Sequence, residues 1–343
     1  MSVLHINNIT NKEGTGGPTI AGITTVDSTG FMRVPVGPTE YRGGRGRGVF
    51  GGGYGSSPHP TMNTMDYVTI ATLGNASDFG DLTVARSSTP GGSSATRGCF
   101  IAGRFTPTAD SYNVIDYITI SSTGNAFDFG DLIHNSNPDQ KGTSNQIRTV
   151  YAGGYLLPGT AASDFQTTMG YFTIASLGNS SDFGNLSQKG RVTFQGSNGT
   201  RGIFAGRRVT TDLLNTIEYV NIMTTGDALD FGDLTVARSN SAGSMTSSTR
   251  MVMQGGLAPS YNSTIDYITM SSLGDAIDFG DTGSGNEASA STSNSTRGVF
   301  TPGTPATGDT IEYITIATTG NAADFGNLSA GRGTYGTVSD AHG

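Results

Sequence analysis

The sequence has no Trp and a single Cys, Cys99, among its 343 residues. One thiol excludes an intrachain disulfide. The four His residues, His5, His59, His134 and His342, are scattered and share no metal-ligand spacing. No run of about 18 apolar residues is present, so no membrane-spanning helix is expected. No basic segment followed by an apolar run marks a secretory leader. Charge is scarce too, at 13% of residues. The formal net charge of −8 argues against nucleic acid as a partner. A helical period of 3.6 is nowhere visible.

In place of these features the chain has 52 Gly together with abundant Ser, Thr and Asn, a composition suited to short strands joined by tight turns. The apolar residues recur at fixed places. The phrase "IDYITISSTGNAFDFGDL" (115–132) has relatives along the whole chain, with Tyr67, Tyr117, Tyr171, Tyr219, Tyr267 and Tyr313 in equivalent positions. Twelve residues after each comes Phe79, Phe129, Phe183, Phe231, Phe279 or Phe325. The five intervals from Phe79 to Phe325 average about 49 residues, the period of kelch-type propeller blades.

Each unit divides into four strand-sized pieces: an Arg-led strand such as "TRGCFIAG" (96–103), "IDYITI" (115–120), "DFGDL" (128–132), and a small-residue stretch such as "TVARSNSAGSMTSS" (235–248). Gly124 and Asn125, with their equivalents, mark the turn before "DFG". "IDYITI" does not alternate cleanly between apolar and polar, which fits a blade packed on both faces.

The Arg residues opening the first strand are Arg47, Arg97, Arg148, Arg201, Arg250 and Arg297. Each Phe precedes the next Arg by 18 or 19 residues, whereas the distance from Arg to Tyr runs from 16 to 23. Length therefore varies in one loop per unit, on one face of a disc, where exposed backbone tolerates insertion. The first unit starts at Arg47 without its small-residue strand, and "LSAGRGTYGTVSDAHG" (328–343) can supply it. That closure removes free sheet edges. The expectation is an all-β fold: a six-bladed β-propeller of four-stranded blades over residues 44–343, closed by strands from both ends, with an extended N-terminal arm over residues 1–43.

The order of Arg, a hydrophobic strand ending in Gly ("VFGGG", 49–53; "VYAGG", 150–154), a Tyr strand and an aromatic strand resembles the kelch motif. It departs from that motif in having Phe where kelch has Trp. The phrase "YITIATTGNAADFGNL" (313–328) resembles repeats in virion structural proteins of marine bacteriophages, especially cyanophages. "ITNKEGTGGPTIAGITTVDSTGFMRVPVGPTEY" (9–41) resembles N-terminal segments of phage tail-fibre proteins. The resemblance implies a non-enzymatic virion component on the external surface of a particle. Its expected role is that of a tail-fibre or tail-associated adhesin contacting a host glycan or protein, with residues 1–43 docking on other virion proteins or on copies of itself. The alternatives are a purely architectural capsid or neck subunit and a bacterial kelch-like scaffold.

Several motifs are weighed against this reading. "DFG" repeated six times, without a phosphate loop, is a packing element and not a kinase signature. Its acids, Asp78, Asp128, Asp182, Asp230, Asp278 and Asp324, are read as structural acceptors. Asp81, Asp131, Asp233 and Asp281 follow closely, but too few oxygen ligands gather for calcium; no cofactor or metal is expected. Asp66, Asp116, Glu218, Asp266 and Glu312, beside the repeat Tyr, are expected to pair with Arg on the adjacent strand. "RGGRGRG" (42–48) ends in an ordinary first strand and is read as structure, not as an RNA-binding tract. No carboxylate pair stands apart from the repeat, and no propeller-enzyme signature is present. The candidate binding surface is the set of variable loops at 54–64, 104–114, 155–168, 207–216, 257–264 and 304–310, with Tyr54, His59, Phe105, Tyr112, Tyr155, Phe165 and Tyr261 as contact residues.

Overall fold

A computed structural model of the chain divides into two compact units, Met1–Gly43 and Gly44–Gly343. The structure describes residues 46–343 except 56–59, 106–109, 134–139, 157–160, 241–242, 288, 302, 304–307, 334–335 and 341–343. In the first unit it describes three short strands, Thr19–Ile20, Thr24–Val26 and Met32–Arg33, paired antiparallel in chain order.

The second unit is a ring of six four-stranded antiparallel blades. Blade 2 shows the plan, from the axis outward: Gly91–Ser93, Arg97–Ile101, Val114–Thr119 and Phe127–Asp131. Blade 1 is built from both ends of the unit. Gly336–Ser339 forms its innermost strand and pairs antiparallel with Arg47–Gly51, followed by Thr64–Thr69 and Ser77–Asp81. The predicted closure is therefore present. The small-residue stretch that follows each "DFG" opens the next blade as its innermost strand.

Small residues stand at the axis because six strands converge there. A methyl group on Gly91 would overlap the carbonyl of Thr337, and one on Gly92 the side chain of Thr149. The strands are laced by hydroxyls: Ser144 Oγ donates to the Ser93 carbonyl (3.0 Å), Thr143 Oγ1 to Gly196 (2.7 Å), and Ser293 Oγ to Thr246 (2.9 Å). Ser93 Oγ donates to the Ser339 carbonyl at 2.9 Å, which ties blade 2 to the chain-end strand of blade 1. The axial cavity holds only about 20 Å³, room for a water and little more.

Apolar cores lie between blades. The Phe79 cluster joins Val49, Met65 and Leu82 of blade 1 to Phe100, Ile118 and Ile120 of blade 2, and the Phe325 cluster joins blade 6 to Phe50, Val68 and Ile70 of blade 1. All six repeat Phe residues are buried. Burying one such side chain stabilises by about 1.5–3 kcal/mol. The repeat Tyr meets its Phe edge-on at 6.0–6.2 Å in every blade. The strand-opening Arg lies over that Tyr at 4.0–4.7 Å. Its guanidinium then donates to a carbonyl of the next blade, as Arg47 does to Ile120 (2.9 Å) and Arg297 to Ile70 (3.1 Å).

The outer rim explains the rest of the phrase. Gly124 N–H donates to the Phe79 carbonyl (2.7 Å), Ala126 N–H to Asp81 (2.8 Å), and Asn125 Oδ1 accepts from Asp81 N–H (3.1 Å). The same clasp recurs at every seam, and the last one runs from Asn327 to Asn75 (3.1 Å). At Gly80, φ is +140° and an added methyl would strike the Gly124 backbone. Each phrase thus carries both halves of an inter-blade clasp, which is why it is written six times.

Candidate functional site

The antiparallel order puts two kinds of connection at one end of the disc, here the loop face. These are the variable hairpins between second and third strands and the segments linking one blade's rim to the next blade's axis. The tight turns occupy the opposite, turn face.

Beneath the loop face lies a ring of buried polar contacts. In all six blades a β-bulge in the third strand follows the Ile or Met two residues before the repeat Tyr, as at Ile115/Asp116, and the residue after it carries the buried contact. In blade 2 that residue is Asp116. It accepts from Thr83 N–H (3.0 Å) and Thr83 Oγ1 (2.7 Å) and pairs with Arg86 at 3.0 Å, both partners fully buried. Arg86 also donates to the Phe100 carbonyl at 3.2 Å. Blade 5 repeats this with Arg238–Asp266 (3.1 Å) and Thr235, and blade 1 with Arg332–Asp66 (3.0 Å) and Ser329.

The other blades solve the same problem differently. In blade 4, Glu218 accepts from Ser187 N–H (2.9 Å) and pairs with Arg207. In blade 6, Glu312 accepts from Gly283 N–H (3.1 Å), with Asn286 where Arg86 stands in blade 2. Blade 3 has Gly170. Tyr151 fills the space, its hydroxyl bonds Ser180 Oγ (2.7 Å), and Ser180 Oγ accepts from Ile133 N–H (2.9 Å). Burial lowers the Arg86 and Arg238 pKa values and brings Arg207 to about 10. Burial raises Asp266 and Glu312 above the usual carboxylate range and pushes the Tyr151 phenol up to about 12. The Cys99 thiol, sealed in a blade strand, is likewise pushed to about 12 by burial.

The expected pairing of these acids with Arg of the adjacent strand is corrected: of the four buried pairs among the described residues, only Glu218 takes its Arg there. The strand-opening Arg residues are held by Tyr rings and carbonyls, and Arg86, Arg238 and Arg332 come from the rim-to-axis segments. The overlooked signal is "TVARS", identical at 83–87 and 235–239. The acids Asp78, Asp128, Asp182, Asp230, Asp278 and Asp324 are exposed at the rim. Among the described residues no group of three or more His, Cys, Asp or Glu is placed to hold a metal ion. No helix there is long and apolar enough to cross a membrane.

The loop aromatics divide. Tyr155 and Phe165 were expected on the surface but are buried, with ring centroids 5.9 Å apart and Arg191 of the next blade over Tyr155 at 4.0 Å. Tyr54 is half-buried in a bridge to Gly333, and Phe105 and Tyr112 are half-buried against each other at 6.5 Å. Tyr261 is exposed, at 41%. His59 and the other three His residues lie outside the described residues. On the turn face, Leu73, Leu177 and Leu273 stand just before the turn glycines of blades 1, 3 and 5, exposed by 58%, 58% and 59%. No protein-family model matches the chain, and no curated protein matches it.

Proposed function

We propose that the chain is a bacteriophage virion structural protein that acts as a host-surface adhesin. Residues 44–343 are the binding module, and residues 1–43 attach it to other virion proteins. The observation that carries the binding role is the division of labour within the repeat. The recurring Arg, Tyr, Phe, Gly and Asn are consumed by seams between blades, while variation in length gathers in the loop-face hairpins. A scaffold whose shared residues are committed to packing leaves recognition to its loops. The phage assignment is supported by the resemblance of "YITIATTGNAADFGNL" to virion repeats. The role is binding, not catalysis.

The test has two parts. Particles purified from a culture carrying this sequence are analysed for the protein by mass spectrometry, and the purified chain is assayed for attachment to host cells. The reading expects the protein in the particles and saturable attachment that competes with infection. Absence from particles overturns the virion assignment, and absence of attachment overturns the adhesin role. A second reading, an architectural subunit, is favoured by Leu73, Leu177 and Leu273, which alternate blades place at three equivalent points of the turn face. Replacing all three with Ser would lower occupancy in particles under that reading and leave it unchanged under the first.

A further inference from the structure

One stretch of the loop face differs from the rest. Across blades 4 to 6, three side chains from separate connections meet in a row. Arg208, in the blade 4 hairpin, donates from its guanidinium to Asn240 Oδ1 (3.4 Å) and to the Thr210 carbonyl (2.7 Å). Asn240 lies on the segment entering blade 5 and donates through Nδ2 to Glu287 Oε2 at 2.8 Å. Glu287 lies on the segment entering blade 6. Asn240 holds a left-handed backbone, φ +69°, which Asn tolerates better than most residues. All three are half-buried and so still touch solvent.

Tyr261 adjoins this row. Its backbone bridges to Leu257, which bridges in turn to Ser239, the neighbour of Asn240. On its other side Asn262 pairs with Asn286, the neighbour of Glu287. The most exposed of the described candidate loop aromatics is thus linked through backbone pairs to the neighbours of Asn240 and Glu287, and Asn240 in turn holds Arg208.

We propose that Tyr261 and the Arg208–Asn240–Glu287 row form a binding patch for a neutral saccharide. An exposed phenol ring offers an apolar face for the C–H side of a pyranose. Beyond their mutual bonds the row retains acceptor capacity on Glu287 and donor capacity on Arg208, the complement of adjacent sugar hydroxyls. Mutual hydrogen bonding fixes these groups before the ligand arrives, which lowers the ordering cost of binding. One positive and one negative group leave the row neutral, and the acidic chain repels polyanions. Both facts select neutral over acidic sugars. The inference rests on the adhesin reading for its biological meaning but not for its test.

The probes are chitopentaose, maltopentaose, cellopentaose and mannopentaose, with an oligogalacturonate of similar length as the acidic contrast. They are titrated into the full chain by calorimetry and by saturation-transfer NMR. At least one neutral probe should bind. Tyr261→Ala should weaken it by about tenfold or more, and Tyr261→Phe should retain it, because the ring supplies the contact. Asn240→Gly keeps the left-handed backbone accessible and should weaken binding by about fivefold or more with Tm unchanged. Failure of every neutral probe, wild-type affinity in Tyr261→Ala or Asn240→Gly, or tighter binding of the oligogalacturonate overturns the proposal. A chain that binds a neutral probe but attaches to no host cell removes the adhesin role and leaves the patch. A chain that attaches but binds none of the probes does the reverse.

Discussion

Asp116→Ala should cost about 3–5 kcal/mol, the range for leaving a buried charge without its partner. The estimate follows from what Asp116 touches. Arg86 loses the carboxylate 3.0 Å away, in a position with no solvent contact on either side chain. Its hydrogen bond to the Phe100 carbonyl is 3.2 Å long and does not neutralise it. Burial already lowers the Arg86 pKa, so the pair sits where charge is disfavoured and the Asp116 carboxylate is the main compensating group. Thr83 also loses an acceptor for both its N–H and its hydroxyl. An orphaned buried donor alone costs about 1–3 kcal/mol.

Blade 3 supplies a control within the same molecule. There the equivalent N–H, that of Ile133, is satisfied by Ser180, and Tyr151 fills the volume with Gly170 opposite. Copying that solution into blade 2 gives the variant Arg86→Ser, Phe100→Tyr, Asp116→Gly, Ala126→Ser. It removes both charges together and supplies the hydroxyl, so it should stay within about 2 kcal/mol of wild type, as replacement of whole buried pairs commonly does. Urea unfolding followed by circular dichroism reads both variants. A double-mutant cycle with Arg86→Met and Asp116→Leu should give a coupling of at least about 2 kcal/mol. A loss below about 1 kcal/mol in Asp116→Ala, or a coupling near zero, would refute the claim that this pair holds the connection to its blade.

Three further outcomes are expected. Deleting residues 336–343 removes the innermost strand of blade 1 and opens the ring, so Tm should fall by more than about 10 °C; a change of a few degrees would contradict closure by that strand. Gly80 and Gly124 share a positive φ, of 140° and 153°, but only Gly80 faces backbone of the next blade; Gly80→Ala should therefore cost at least about 2 kcal/mol more than Gly124→Ala in denaturant midpoints, and equal costs would remove the clasp argument. Burial raises Glu312 above its ordinary value of 4.5, so between that value and the raised one the folded state binds more protons and stability falls as pH rises. Glu312→Gln should flatten that part of the Tm–pH curve, and an unchanged slope would show that Glu312 does not titrate there.

The architecture was legible because the repeat writes each seam twice. Tyr and Phe twelve residues apart meet edge-on, Arg stacks on Tyr, and the Gly-Asn turn clasps the preceding rim, so fixed spacings in sequence correspond to fixed contacts in space. The buried acid partners were not legible for the opposite reason. Asp116 is 30 positions from Arg86, Glu218 is 11 from Arg207, and blade 3 discards the pair for Tyr151 and Ser180. One chemical need, satisfying the rim-to-axis backbone donor, has four sequence solutions, and no single spacing reveals it. Tyr155 and Phe165 misled in another way: an aromatic in a variable loop reads as surface, but Arg191 of the next blade covers the ring.

That contrast also locates recognition. A residue that recurs six times is explained by a seam that recurs six times, and needs no ligand. The reverse test applies to residues found once. Arg191 is one of these, and a packing role accounts for it. Asn240 is another, but its left-handed backbone has a counterpart in Ser88, φ +55°, where no such row is built among the described residues. The conformation therefore belongs to the fold, while the Asn side chain with its Arg208 and Glu287 partners does not. Of the loop aromatics, Tyr261 is neither stacked under an Arg, as Tyr155 is, nor set against a neighbouring ring, as Phe105 is. Among the described residues of the loop face, what packing leaves unexplained converges on blades 4 to 6, and there the chain presents an exposed ring beside a fixed polar row.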